Sequence, residues 1–149
     1  MLSFEHARER VVQEIIKARS FPLTEIIALD AAPGRVLAAA VHADRDYPAL
    51  NRSVRDGFAV RSADVPGELE IVGESRAGGA FAGTLGPGQA VEIMTGAPVP
   101  AGADGVVMVE HVAVAGSVVK ISGAVPRGQF ISFQGEEARR GQPLILTGT

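Results

Sequence analysis

Apolar side chains recur at three- and four-residue spacing in only one stretch of this chain. Phe4, Ala7, Val11 and Ile15 form one stripe, the period of an amphipathic helix, and predict a helix over residues 3–19. Ser3 is placed to cap the first turn, Glu5 suits the positive end, and Lys17 and Arg19 suit the negative end. Pro22 stops the run. Residues 23–29 then read as a short extended segment. Residues 30–40, with Pro33 and Gly34 near their start, read as a second, shorter helix.

Beyond Tyr47-Pro48 the pattern changes to short β-type runs between turns rich in Gly and Pro. The runs cover residues 57–60, 69–73, 90–94, 106–109, 111–114 and 118–121. The last two flank Ala115-Gly116-Ser117, a candidate three-residue hairpin loop. Strands this short and frequent predict a small antiparallel or barrel-like sheet. From Pro126 the chain turns polar through Glu136 and Glu137, then ends in the apolar run Pro143-Leu144-Ile145-Leu146. The expected fold is mixed and mainly β. A β-rich lobe (47–125) is inserted into a discontinuous helical and extended lobe (1–46 with 126–149). That outer lobe is thin for a core of its own, so a further domain or subunit is expected to pack on it.

Composition refines this picture modestly. With 46% hydrophobic and 21% charged residues in 149, the chain can fill a core, and with 5% aromatics and no Trp that core must be aliphatic. Net charge is −3 with both signs interspersed. No basic stripe with interleaved aromatics is present, which argues against nucleic acid as a partner. The absence of cysteine removes disulfides, thiolate catalysis and zinc–thiolate sites. The longest apolar run, residues 36–41, is far short of the roughly 20 residues of a membrane span. The amino terminus lacks a secretory pattern. These features together predict a cytoplasmic protein.

Three segments carry candidate chemistry. In Asn51-Arg52-Ser53-Val54-Arg55-Asp56-Gly57, the Asp-Gly turn opens a strand and would present Asp56 and Ser53 at its mouth. A carboxylate there suits a hard cation such as Mg²⁺, and the guanidiniums suit phosphate. The same residues also read as a plain turn with solvated arginines. In Met94-Thr95-Gly96-Ala97-Pro98, a strand runs into a loop where the Thr95 hydroxyl and open amides beside Gly96 suit an anion. An ordinary Pro-Gly connection fits equally. In Gln134-Gly135-Glu136-Glu137-Ala138-Arg139-Arg140, adjacent acids and bases suit metal and phosphate, or a self-paired surface turn. His6, His42 and His111 lack metal-ligand spacing. Gly83-Thr84-Leu85-Gly86-Pro87-Gly88 is not a dinucleotide loop, and no nucleophile elbow or Walker loop is present.

Taken in order, these segments resemble the signatures of the molybdopterin molybdenumtransferase (MoeA/gephyrin E-domain) family. Ser53 to Val60 resembles its Ser-x-x-Asp-Gly-Tyr/Phe-Ala-Val motif, and Met94 to Asp104 with Val106 to Glu110 resembles its second motif. Gly34-Arg35-Val36-Leu37-Ala38 resembles a Gly-Arg-Val-Leu-Ala segment, and 72–78 also has a family look. The resemblance implies the family's N-terminal domains I and II, with an α/β molybdopterin-binding domain and a C-terminal β domain outside this chain. It implies a cytoplasmic homodimer that inserts molybdate into adenylylated molybdopterin with release of AMP, assisted by Mg²⁺. By the same resemblance Asp56 and Thr95 are catalytic, Asp56 holds the metal, and Ser53, Arg55, Gly96, Glu136 and Glu137 bind substrate. Glu137 stands where the family has Asp, and Pro48-Ala49-Leu50 where it has Pro-Pro-Phe. The competing reading is a non-catalytic dimerisation and lid module, with all chemistry on the α/β domain.

Overall fold

A computed structural model describes residues 2–18 and 23–149. Arg19 and Pro22, assigned above to the helix end, lie outside the described residues. The chain divides into two compact units, Met1–Ala39 with Thr147–Thr149, and Ala40–Leu146.

In the first unit, helix α1 spans Phe4–Ala18. Its start is capped as the sequence predicts, with the His6 amide donating to the Ser3 hydroxyl at 3.3 Å. None of its residues is buried. Phe4, Val11 and Ile15 are each more than half exposed, so the amphipathic pattern shapes the helix without covering a core in this unit. The second predicted helix does not form. A single 3-10 turn, Leu29–Ala31, is followed by a turn in which the Arg35 amide donates to Ala32 O at 3.0 Å. Pro33 brings no amide, and Gly34 takes a left-handed φ of 81°, which ends any helix there. Backbone bonds then go long-range: the Leu37 amide donates to Thr149 O, and the Gly148 amide to Leu37 O. Residues 23–28 form no strand.

The second unit is built on a six-stranded sheet. Its strands are β3 (Gly57–Val60), β4 (Gly67–Ser75), β5 (Gln89–Ile93), β6 (Gly105–Met108), β7 (Val112–Ala115) and β8 (Val118–Ile121). They lie in the order β6-β3-β5-β4-β8-β7. All six predicted runs are strands within two residues at each end, the 69–73 run extending by two in both directions. Residues 115–118 close the β7–β8 hairpin with a two-residue turn, Ala115 pairing with Val118, one residue tighter than the loop expected. The sheet is not wholly antiparallel, because β4 and β5 run parallel. Parallel neighbours need a crossover of about a dozen residues or more, and the Gly-rich segment 76–88 supplies it.

β3 is buried on both faces. Phe58 and Val60 join Leu69, Val107, Val119 and Ile121 in one cluster. Ala59, between them, joins Ile93, Ala97, Val106 and Ile131 in another. That division follows from the two-residue period of a strand, and a Gly-Phe-Ala-Val run has no polar residue to offer solvent. Two short ladders complete the unit. β1 (Val41–His42) pairs with β10 (Pro143–Ile145), and β2 (Arg52–Ser53) pairs with β9 (Ile131–Ser132). The second ladder carries the segment after residue 130 to the mouth of β3. Among the described residues no helix is long and apolar enough to cross a membrane.

Candidate functional site

Two strand ends converge to make the site. β3 begins at Gly57, which pairs with Ile93 of β5 on one side and Met108 of β6 on the other. A Cβ at this glycine would lie 1.9 Å from the Val107 carbonyl oxygen. Only a residue without one lets β3 approach β6 so closely, and this approach sets where Asp56 emerges. The Val109 amide holds the Asp56 carbonyl at 3.2 Å, so the carboxylate projects from a fixed backbone.

Beside it β5 ends. The Met94 amide donates to Ser75 O at 3.1 Å, and the chain then turns through Thr95 and Gly96, the latter at φ 82° with open space where a Cβ would stand. The Thr95 amide and hydroxyl both donate to Asp56 Oδ1, each at 2.6 Å. The Thr95 hydroxyl, and after it the Thr95 amide, lower the Asp56 carboxyl below its ordinary value of 3.8 against a small desolvation penalty. Asp56 and Thr95 are exposed. Asp56 Oδ2 accepts no hydrogen bond from the described residues, so the pair presents one committed and one open carboxylate oxygen.

Ser53 has a different place from the one its motif suggests. It is 1% exposed, and its hydroxyl donates to Arg55 O at 2.5 Å while accepting from the Arg55 amide at 3.2 Å. Its carbonyl accepts from the Gly96 amide at 2.8 Å, and its amide donates to Ala97 O. Ser53 therefore staples the 53–56 turn to the 95–97 turn. Arg55 is exposed, with Nη1 on Val54 O at 3.0 Å and its guanidinium 5.8 Å over the Phe130 ring. Phe130 itself adopts φ 55°, a conformation uncommon outside glycine.

The carboxylates of the third segment are engaged locally. Glu136 Oε2 accepts from the Phe133 amide at 3.0 Å, which closes its own turn, and Glu137 pairs with Arg52 Nη2 at 2.5 Å. The ladder of β2 and β9 brings this turn to the Asp56 side of the unit, but neither acid bonds to Asp56 or Thr95. Asp46, outside the three segments, and Asn51, which heads the first of them without an assigned role, tie this turn down. Asp46 accepts from Gln134 Nε2 and from the Arg140 amide, and Asn51 Oδ1 accepts from the Gln134 amide. Their only advance signal was position, as polar residues flanking the Tyr47-Pro48 turn. Among the described residues, no three His, Cys, Asp or Glu side chains gather as a metal cage.

Residues 2–149 match a family model described as "MoeA N-terminal region (domain I and II)". The chain is 38% identical to the molybdopterin molybdenumtransferase of Synechococcus elongatus, the match covering 99% of this chain and 38% of the relative. It is 39% identical to that of Bacillus subtilis, covering 85% and 32%. The chain thus spans about a third of the length of these curated relatives. A crystal structure of a molybdopterin biosynthesis MoeA protein from Pyrococcus horikoshii superposes with a TM-score of 0.78 at 32% identity, covering 83% of this chain and 34% of that one. A second structure of a Pyrococcus protein of that name gives 0.80 at 27% identity. With the model matched from one end of the described residues to the other, and the fold shared with these structures, the chain belongs to the MoeA N-terminal region family.

Proposed function

We propose that this chain provides one wall of a molybdenum-cofactor biosynthetic site, in an enzyme that inserts molybdate into adenylylated molybdopterin and releases AMP. The observation that carries the reading is the Asp56–Thr95 pair. A carboxylate held by two donors on one oxygen, with the other oxygen open, is preorganised to orient a cation, a water or a phosphate-bound proton. Molybdate and the phosphoanhydride are both anionic. Arg55 therefore serves as the phosphate contact, and the exposed Gly96 turn lets an oxyanion approach the backbone.

Mg²⁺ commonly binds through one or two carboxylates together with substrate phosphates, and Asp56 Oδ2 suits such a shared site. When bound there, the cation would offset charge developing on the bridging phosphate. Asp56 fixes its place, while Thr95 keeps Asp56 ionised and correctly turned. Ser53 acts through the backbone, as the staple that holds Gly96. Glu136 and Glu137 each hold one oxygen on a local partner, the Phe133 amide and Arg52, and would meet substrate through the other. Homodimer formation, a cytoplasmic setting and the need for an α/β domain opposite this wall belong to the same reading, under which this chain alone is inactive.

The local engagement of Ser53, Glu136 and Glu137 favours a second reading, a lid and dimerisation module. Calorimetric titration of this chain with adenylylated molybdopterin and Mg²⁺ separates the two. Weak saturable binding that Asp56→Asn abolishes supports the wall. Binding that requires the α/β domain and ignores Asp56→Asn supports the lid.

A further inference from the structure

At the opposite end of β3 lies a second polar cleft. Asp56 precedes the strand and Arg61 follows it, which places them ~16 Å apart at about 3.3 Å per extended residue. The cleft, widely open to solvent, has a volume of about 690 Å³ and is lined by Arg61, Ser62, Leu85, Ala103, Asp104 and Arg127 among others. Asp104 belongs to the Met94-to-Asp104 motif, yet it takes no part in the site around Thr95.

The charges here cancel formally, but the donors and acceptors do not. Asp104 Oδ1 accepts from the Ser62 amide at 2.6 Å, and Oδ2 accepts from the Ser62 hydroxyl at 3.0 Å and forms an ion pair with Arg127 Nε at 2.9 Å. Asp64 Oδ2, outside the lining, accepts from the Gly88 amide at 3.0 Å and faces Arg61 Nε at 3.6 Å. Each carboxylate thus engages an arginine at Nε. No hydrogen bond among the described residues engages the terminal nitrogens of Arg61 or Arg127. Two guanidinium edges line one cleft, and the acids that orient them are already occupied. Forked N–H donors of this kind match oxyanions, and Leu85, Ala63 and Ala103 add an aliphatic wall. A volume of this order holds a small organic molecule, well beyond a bare ion.

We infer that this cleft is a binding site for the phosphate group of a small phosphorylated molecule, held by Arg61 and Arg127 and separate from the Asp56–Thr95 site. Phosphate offers three acceptor oxygens to the two forks where a carboxylate offers two, so phosphate is the preferred group. Asp104 is the positioning residue, locking Ser62 and Arg127 in place.

Amide NMR of the ¹⁵N-labelled 149-residue chain, titrated with inorganic phosphate or with acetate at constant ionic strength, tests this. Phosphate should produce saturable shifts at Ser62, Ala63, Ala103 and Arg127 that follow their own binding curve, independent of any shift at Thr95 and Gly96, with acetate binding at least about threefold more weakly. The double variant Arg61→Gln/Arg127→Gln should lose about tenfold or more in phosphate affinity, and Lys120→Gln, an exposed cation elsewhere, should lose none. Arg127→Gln alone, at a side chain 83% exposed, keeps the fold should the double variant not, and should weaken phosphate severalfold. Linear unsaturated shifts, equal affinity in the arginine variants, or acetate matching phosphate would overturn the assignment.

Discussion

Replacing Gly57 with Ala probes the geometry that positions Asp56. The new Cβ would stand 1.9 Å from Val107 O, 2.8 Å from Val107 C and 3.0 Å from Met108 Cα. All three are backbone atoms of the neighbouring strand, so no side chain can rotate away. Reaching even a tight 3.0 Å contact with the oxygen requires about 1.1 Å of movement between β3 and β6. A shift of that size breaks one or two ladder hydrogen bonds at about 1 kcal/mol each and loosens Phe58 against Val107, which adds overpacking strain of similar size. The expected loss is about 2–4 kcal/mol. Urea unfolding followed by fluorescence of the sole tyrosine, Tyr47, reports on the unit that contains β3. Gly123→Ala is the control: a Cβ there meets nothing within 4 Å, and its stability should change by less than about 1 kcal/mol. A Gly57→Ala loss under about 0.5 kcal/mol, equal to the control, would refute the close-approach argument.

Further outcomes follow from the same geometry. The Asp56 carboxyl lies below its ordinary 3.8, so its bonds to Thr95 stabilise the fold at pH above 3.8 and are lost as pH falls through the lowered value. The Thr95 amide shift should therefore titrate with a midpoint under 3.8, and Thr95→Val should move the Asp56 midpoint upward; a midpoint at or above 3.8 contradicts the pairing. Ser53→Ala removes the buried hydroxyl that bridges the Arg55 amide and carbonyl and should cost about 1 kcal/mol in urea unfolding. Arg52→Gln breaks an exposed ion pair with Glu137 and should cost under about 1 kcal/mol, with chemical-shift changes confined to residues near 137. Ile93→Ala removes a fully buried side chain and should cost about 2–5 kcal/mol.

Legibility tracked how local each determinant was. α1 was readable because its stripe and its Ser3 cap lie within one segment. The strands from 57 to 121 were readable because Gly and Pro punctuate them and their apolar runs are too short for helices. The failed helix after residue 30 had apolar content, but Pro33 and the left-handed Gly34 interrupt it, and Leu37 bonds to residues 148 and 149 instead. The parallel pairing of β4 with β5 depends on which strand wins the β5 edge, a competition no local pattern records. At the site, Asp56 and Thr95 were singled out separately as strand-end residues, and the structure brings them into direct contact. The inward turn of Ser53 was not legible, because a serine before an Asp-Gly turn can face either way. Asp46, Asn51 and Asp104 were assigned no chemistry from the sequence, and their importance lies in partners some twenty to ninety residues away.

The assignment of Asp56 is testable in a working enzyme. The matched 85% of this chain can replace the corresponding region of the Bacillus subtilis relative, to which it is 39% identical over 137 residues. In a hybrid that turns over, AMP release from adenylylated molybdopterin in the presence of molybdate should fall about a hundredfold or more on Asp56→Asn. A substituted hybrid within about threefold of the unsubstituted rate would contradict a role for Asp56 in the chemistry and leave this chain as a lid.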